Sequence, residues 1–334
     1  MEKLLGVGSM QGNENSLKVE SVSKYYGYGL LGLKKFKVLD KISLGIPLKP
    51  PTIFAIVGET GSGKTTLLRI ILRMIKPDEG VVKYKGLDVF KLPRNAVSWY
   101  RKEVQPIFQD PYESFNPLRR VDSYIFDAAK RMAKVDKGSI EEYVDGILRY
   151  VGLSLDRVHG KYPHEFSGGE LQRIAIARAI AARPTLILAD EPVSMLDASL
   201  RVNVLNLFKK IRDDLGTSII YVTHDLATAY YIADQIAVLY RGSLVELGSI
   251  DKVYENPRHP YTQLLLTSIL EPDPKISEKI KPLKLSTIEL KEFLAQGCKF
   301  AYRCPYASKK CFEKEPPNVT INGVIVKCHL YEKS

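Results

Sequence analysis

A chain of 334 residues, 45% hydrophobic and 26% charged, has the makeup of a folded protein with a large core and an appendage, which excludes a disordered or fibrous chain. No uncharged apolar run approaches the roughly 18–20 residues of a membrane helix, and the apolar centre of residues 1–16 is only Leu4-Leu5, too short for a secretory leader. The net charge of +11 comes from scattered basic residues, densest at Arg119-Arg120 and Lys309-Lys310, and reads as a solvated basic surface; we expect a cytoplasmic chain that meets membranes through a partner and binds no nucleic acid.

Residues 1–16 are expected as an N-terminal extension. Residues 17–46 alternate apolar positions (Leu17, Val19, Val22, then Ile42, Leu44, Ile46) as short antiparallel strands do, with a glycine- and tyrosine-rich loop expected at 25–32. Thr52-Ile53-Phe54-Ala55-Ile56-Val57 is a continuous apolar strand, the pattern of a parallel sheet covered on both faces. It enters a glycine-rich loop, and residues 64–74 continue as a helix. Residues 110–165 are more polar, with helical segments near 123–132 and 140–151, and form an expected helical subdomain. A helix at 171–182, strand at 186–189, helix at 201–215 and strand at 218–222 restore β-helix-β alternation, and 235–247 reads as a hairpin turning at Arg241-Gly242. Proline and lysine at 272–284 mark a linker, and all four cysteines lie beyond it. Neither internal repeats nor coiled-coil heptads occur.

Gly58-Glu59-Thr60-Gly61-Ser62-Gly63-Lys64-Thr65 is a complete G-x-x-x-x-G-K-[ST] loop in the strand–loop–helix context that gives such a match its meaning. A triphosphate concentrates negative charge, so it needs many donors close by. The glycines let the backbone aim N–H groups inward, and the helix N-terminus adds its positive end. Lys64 is placed for the β- and γ-phosphates and the Thr65 hydroxyl for magnesium. Asp190, ending the strand at 186–189, is a second magnesium ligand, and Glu191 is free to polarise an attacking water. Ser167-Gly168-Gly169-Glu170 is a capping box for the next helix. Two adjacent glycines exceed what a cap requires; they clear the backbone for an approaching anion, a second phosphate site that one ATP does not need from one subunit.

These elements, in the order glycine loop, Gln109, Ser167–Gln172, Asp190-Glu191, Ser194-Met195-Leu196-Asp197 and His224, resemble the ATP-binding subunit of an ABC transporter over roughly residues 17–256. The resemblance implies a P-loop α/β core with a parallel sheet, an antiparallel β subdomain and a helical subdomain. It implies a head-to-tail dimer that sandwiches ATP between residues 58–66, Thr66 included, of one subunit and Ser167, Gly168, Gly169 and Glu170 of the other. Gln109 would sense magnesium and the attacking water, Asp197 would lie at the dimer seam, His224 would contact the γ-phosphate, and Tyr26, with Tyr25 and Tyr28 nearby, would stack on adenine. Ile107-Phe108-Gln109-Asp110-Pro111-Tyr112, Ser114-Phe115-Asn116-Pro117, Tyr162-Pro163-His164-Glu165-Phe166 and Asn256-Pro257-Arg258-His259-Pro260-Tyr261-Thr262 are similar to the dipeptide/oligopeptide importer branch, which also includes nickel and some sugar importers. That branch implies permease subunits, a second ATP-binding subunit (a copy or a paralogue), a solute-binding protein acting indirectly, and a place on the cytoplasmic face of the membrane.

Cys298, Cys304, Cys311 and Cys328 are separated by five, six and sixteen residues, and none precedes them. Disulfides are disfavoured in a cytosolic ATPase, so four thiolates on one metal centre is the stronger reading. The spacing leaves zinc and iron–sulfur open, with His329 able to replace Cys328 on zinc. Gly297-Cys298-Lys299-Phe300-Ala301, Arg303-Cys304-Pro305-Tyr306-Ala307, Cys311 and Cys328-His329-Leu330 resemble the tail of peptide-importer ATPases that carries a [4Fe–4S] cluster, and that resemblance implies such a cluster in a small C-terminal domain at 257–334, its cysteine segment at 297–330.

Overall fold

The computed structural model describes residues 15–28, 34–270 and 291–332. Residues 1–14 of the expected extension, 29–32 of the expected loop and the linker expected at 272–284 lie outside them.

Four strands form an antiparallel sheet: β1 (Ser16–Tyr28), β2 (Lys34–Pro47), β4 (Glu79–Tyr84) and β5 (Leu87–Asp88), in the order β2-β1-β4-β5. Leu17 pairs with Ile46 and Val19 with Leu44, so the period-two pattern turns all four side chains into one buried face. Residues 25–28, expected as loop, continue β1 instead, because Tyr25 pairs with Lys37 and Tyr26 with Phe36 and aromatic side chains suit a pleated surface.

The second sheet joins β3 (Ile53–Val57), β6 (Val104–Ile107), β7 (Leu186–Asp190), β8 (Ser218–Thr223), β9 (Gln235–Tyr240), β10 (Ser243–Ser249), β11 (Asn318–Ile321) and β12 (Val324–Lys327), in the order β11-β12-β10-β9-β3-β8-β7-β6. The run β9-β3-β8-β7-β6 is parallel. Its central strands are buried along their whole length, and alternate residues feed two cores. Ile53, Ala55 and Val57 join the helices α6 (Gly168–Ala181) and α7 (Ala198–Leu215) on one face. Phe54 and Ile56 join α1 (Lys64–Ile71) and the antiparallel sheet on the other.

Helices α3 (Asp122–Asp127), continued by a π turn at Ala128–Met132, α4 (Ile140–Tyr150) and α5 (Leu155–Val158) cover α6 with Ile125, Ala129, Val144, Leu148 and Val158. The cysteine segment, expected in a small C-terminal domain, adds two strands to the main sheet. Its hairpin β11–β12 turns at Asn322-Gly323, both at positive φ (51 and 81), as a two-residue turn requires. Val326 pairs with Glu246 and Ile325 with Leu247 of β10, and Val324 and Val326 face inward. Along the chain α2 (Arg94–Glu103) leads into β6, α8 (Leu226–Ile232) follows β8, and α9 (Ile250–Glu255) and α10 (Pro260–Leu270) follow β10. Among the described residues no helix is long and apolar enough to cross a membrane.

Candidate active site

The carboxyl ends of β3, β6, β7 and β8 lie at one edge of the sheet, where open α/β sheets place their ligands. The loop after β3 is sutured there: Gly242 N–H donates to the Ser62 carbonyl (2.9 Å), and Gly63, at φ 101, caps α1. A Cβ on Gly63 would meet Leu39 Cδ2 at 2.7 Å and the Val38 carbonyl oxygen at 2.8 Å, so no other residue fits that approach. Lys64 is 5% exposed; its ammonium donates to the carbonyls of Gly58 (2.6 Å) and Glu59 (3.1 Å) and lies 3.9 Å from Glu191 Oε1. Burial lowers its pKa, opposed by the charges of Glu191, Asp190 and Glu59.

Asp190 ends β7 with its carboxyl raised by burial, against the opposing hydrogen bond from the Thr65 hydroxyl. Its Oδ1 is buried without a partner, as is Ser62 Oγ. An orphaned carboxylate oxygen calls for a donor or a cation, and beside the Thr65 hydroxyl that of Asp190 fits a magnesium ion. Glu191 has left the strand at φ 44, a left-handed conformation that costs about 1–2 kcal/mol for such a residue. Its N–H donates to the Val222 carbonyl (2.9 Å), and the Ser194 hydroxyl bonds its carbonyl (2.9 Å). That twist puts Glu191 Oε2 3.0 Å from His224 Nδ1, at the end of β8. Gln109 is exposed two residues beyond Ile107, whose strand partner is Ala189.

The remaining expected residues stand elsewhere on the chain. Ser167 caps α6 as a full capping box: its hydroxyl accepts from Glu170 N–H (3.3 Å), and its own N–H donates to the Glu170 carboxylate (3.0 Å). Arg157 also binds Glu170 (2.9 Å). A Cβ on Gly168 would meet nothing within 4 Å, whereas one on Gly169 would meet Leu200 Cδ1 at 2.9 Å. The two glycines therefore do different work: one leaves open space, the other admits α7. Among the described residues no hydrogen bond or ion pair joins residues 167–170 to residues 58–66. Asp197 is exposed at the start of α7, and Tyr26 is 38% exposed on β1. Tyr25 is tied down, its hydroxyl to Glu79 (3.1 Å) and its N–H to Asp78 (2.8 Å), which leaves Tyr26 the freer ring.

Cys298, Cys304 and Cys311 are half-buried and Cys328 is buried, with Cys298 and Cys304 packed against the core. Burial, and then the charges of the other three, push the Cys298 thiol up to about 11. Yet among the described residues no three His, Cys, Asp or Glu side chains form a group able to hold one metal ion. His329 is not available to replace Cys328, since Nδ1 contacts Glu332 (2.8 Å) and Nε2 the Lys314 carbonyl (2.9 Å).

Sequence reasoning missed Tyr261 and Arg303. The Tyr261 hydroxyl accepts from Glu59 N–H (2.8 Å), and Arg303 grips the Glu59 carboxylate. Partners 202 and 244 positions away leave no local signal.

Comparison with known proteins places these features in company. The ABC transporter family profile matches residues 39–194, and the oligopeptide/dipeptide transporter C-terminal region matches residues 245–311. The oligopeptide transport ATP-binding protein AppF of Bacillus subtilis is 37% identical over 330 residues, spanning 95% of this chain and 98% of that protein. OppF of Salmonella typhimurium is 38% identical over 286 residues, spanning 85% and 84%. The ATP-binding cassette MJ0796, solved as a dimer in a post-hydrolysis state with ADP and Pi, superposes with a TM-score of 0.61 at 27% identity over 70% of this chain and 98% of that one.

Proposed function

The chain belongs to the ABC transporter ATP-binding proteins, in their oligopeptide/dipeptide branch, and on that premise we propose that its ATP hydrolysis energises uptake of dipeptides or oligopeptides through partner permeases. The observation that carries the catalytic reading is the contact series Lys64–Glu191–His224 across three strand ends.

In this reading Lys64 exchanges the carbonyls of Gly58 and Glu59 for the β- and γ-phosphates, while the N–H groups of residues 60–66 surround the phosphate oxygens. Thr65 and Asp190, with Gln109 at the rim, would hold magnesium, which when bound neutralises phosphate charge. Glu191 takes the proton of the attacking water, and His224 fixes the carboxylate through Nδ1 and presents its other nitrogen to the γ-phosphate side. Tyr26 receives the adenine. The open space at Gly168 and the spare N–H groups of α6 suit the ATP of a second subunit, copy or paralogue, with Asp197 at the seam. ATP thus closes the dimer and hydrolysis releases it. The permeases hold the assembly at the cytoplasmic face of the membrane, and a solute-binding protein delivers the peptide to them.

Glu191→Gln tests this. It should keep ATP binding, lower kcat by about 10²–10⁴-fold and accumulate an ATP-dependent dimer, free or on the permease. Hydrolysis near the unaltered rate, or no dimer in either setting, would defeat the reading.

For the cysteine quartet we propose the [4Fe–4S] cluster over zinc. Zinc draws its ligands to about 2.3 Å in a tight tetrahedron, whereas a four-iron cluster spreads its thiolates apart. The motifs at residues 297–301, 303–307, 311 and 328–330, similar to the cluster-bearing tail of peptide-importer ATPases, support the larger guest. Protein purified away from air should be brown, absorbing near roughly 400 nm. Colourless protein with stoichiometric zinc would reverse the choice.

A further inference from the structure

Glu59 is the one charged side chain of the glycine loop before Lys64, and its polar groups are held from two directions. Its carbonyl accepts from Ser62 N–H (3.1 Å) and from Lys64, within the loop. Its other groups are held from the C-terminal part of the chain. The Tyr261 hydroxyl takes its N–H, and both terminal nitrogens of Arg303 reach its carboxylate, at 2.9 and 3.0 Å. Arg303 is itself braced. One of those nitrogens lies 3.4 Å from the Tyr240 hydroxyl, and the guanidinium stands 5.7 Å from the ring centres of both Tyr240 and Phe300. Tyr240, Tyr261 and Phe300 pack on one another at 4.5 to 5.5 Å, so the base of the arginine is rigid. Backbone bonds from Ala301 to Cys298, Arg303 to Phe300 and Cys304 to Ala301 fold the arginine into a turn bounded by two cysteines. A second brace lies beside the first. Buried Glu292 pairs with Arg241 (2.9 Å), whose Nη1 lies 3.3 Å from the place a Cβ on Gly61 would occupy.

We propose that the cysteine-bearing segment is a working part of the nucleotide site, with Arg303 a positioning residue that holds the first turn of the glycine loop, through Glu59, in its phosphate-receiving shape. The inference rests on the reading of residues 58–66 as the nucleotide loop. A loop whose N–H groups converge on one point loses conformational freedom, and a loop already held in that shape spares the ligand the cost of ordering it. A two-pronged arginine–carboxylate pair fixes direction as well as distance, which a lysine does not do. Arg303 touches neither Glu191 nor His224 nor Asp190, so its loss falls on ATP affinity and leaves the chemical step alone.

The test uses the full chain, measuring ATP Kd, KM and kcat for Arg303→Ala, Arg303→Lys, Glu59→Gln and the Arg303→Ala/Glu59→Gln pair. Arg303→Ala should raise Kd and KM about tenfold while kcat stays within about twofold, and Arg303→Lys should fall between it and the unaltered protein. Glu59→Gln should match Arg303→Ala, and the double variant should be no worse than either single one. A lower melting temperature with unchanged KM, a loss confined to kcat, or additive effects in the double variant would each overturn the proposal. Glu59→Gln leaves the cysteine segment untouched, so it decides the matter even where Arg303→Ala does not fold: unchanged KM there is also fatal. Lys64→Ala separates the two readings. Normal ATP binding by that variant would remove the nucleotide reading and this inference with it, whereas lost binding alongside an indifferent Arg303→Ala sinks this inference alone.

Discussion

Glu191 spends backbone strain on direction. Its φ of 44 swings the carboxylate off the axis of β7 to a place between Lys64 and His224. The bonds to Val222 and Ser194 hold it there, so the conformation is over-determined by its surroundings. His224 acts on it by orientation and is half exposed, which makes its removal a test of geometry with little bearing on the fold. His224→Ala should lower kcat about a hundredfold or more while ATP affinity moves less than about threefold, read from steady-state hydrolysis and equilibrium binding. Turnover close to that of the unaltered protein would show that Glu191 needs no such support.

At the scale of one element, the start of α6 has a structural role and, in the dimer proposed above, a recognition role in adjacent residues. Ser167 and Glu170 satisfy the helix's first N–H groups reciprocally. Gly169 is small because Leu200 of α7 presses against it, and Gly168 faces open space. Their substitutions should therefore separate. Gly169→Val, too bulky for the end of the Leu200 side chain alone to clear, should cost about 1–3 kcal/mol of stability. Gly168→Val should leave the melting temperature within a few degrees yet suppress the ATP-dependent dimer and hydrolysis together, since the proposed dimer uses that space for a second subunit's phosphates. Equal loss of stability in both, or an active Gly168→Val protein, would contradict this division.

Across the whole molecule, the C-terminal segment is held to the core by a buried polar knot. His259 is fully enclosed, its Nδ1 accepts the Tyr261 N–H (3.1 Å), and burial pushes its pKa down to about 3. The unfolded chain binds this proton below about 6.5 and the folded protein only near 3, so the stability from the neutral imidazole is full above 6.5 and declines as the pH falls toward 3. Glu246, raised by burial, pulls the other way: its contribution is full below its ordinary range and lost as the pH rises. His259→Gln leaves Glu246 in place, so the difference between the two proteins isolates the imidazole. Between pH 7 and 5 the unaltered protein should lose about 2 kcal/mol more than the variant, measured by denaturant titration. Parallel pH profiles would show that His259 takes up its proton as readily in the fold as in the unfolded chain.

How much of this was legible in advance depended on the distance over which each feature is encoded. Strand, glycine loop and helix at residues 52–71, the capping box at Ser167 and the turn at Arg241-Gly242 are each made by consecutive residues, whose backbone needs are written side by side. The strand at 25–28 was hidden because its glycine and tyrosines suit a loop until Phe36 and Lys37 arrive beside them. By itself, the order of residues determined the glycine loop, the acidic pair and the buried parallel strands, since local chemistry and period dictate them. Only the tertiary structure decided that the cysteine segment joins the core sheet and that Arg303 reaches the loop at Glu59. Those contacts draw on the free energy of burial and pairing between segments far apart in the chain, which no local pattern records.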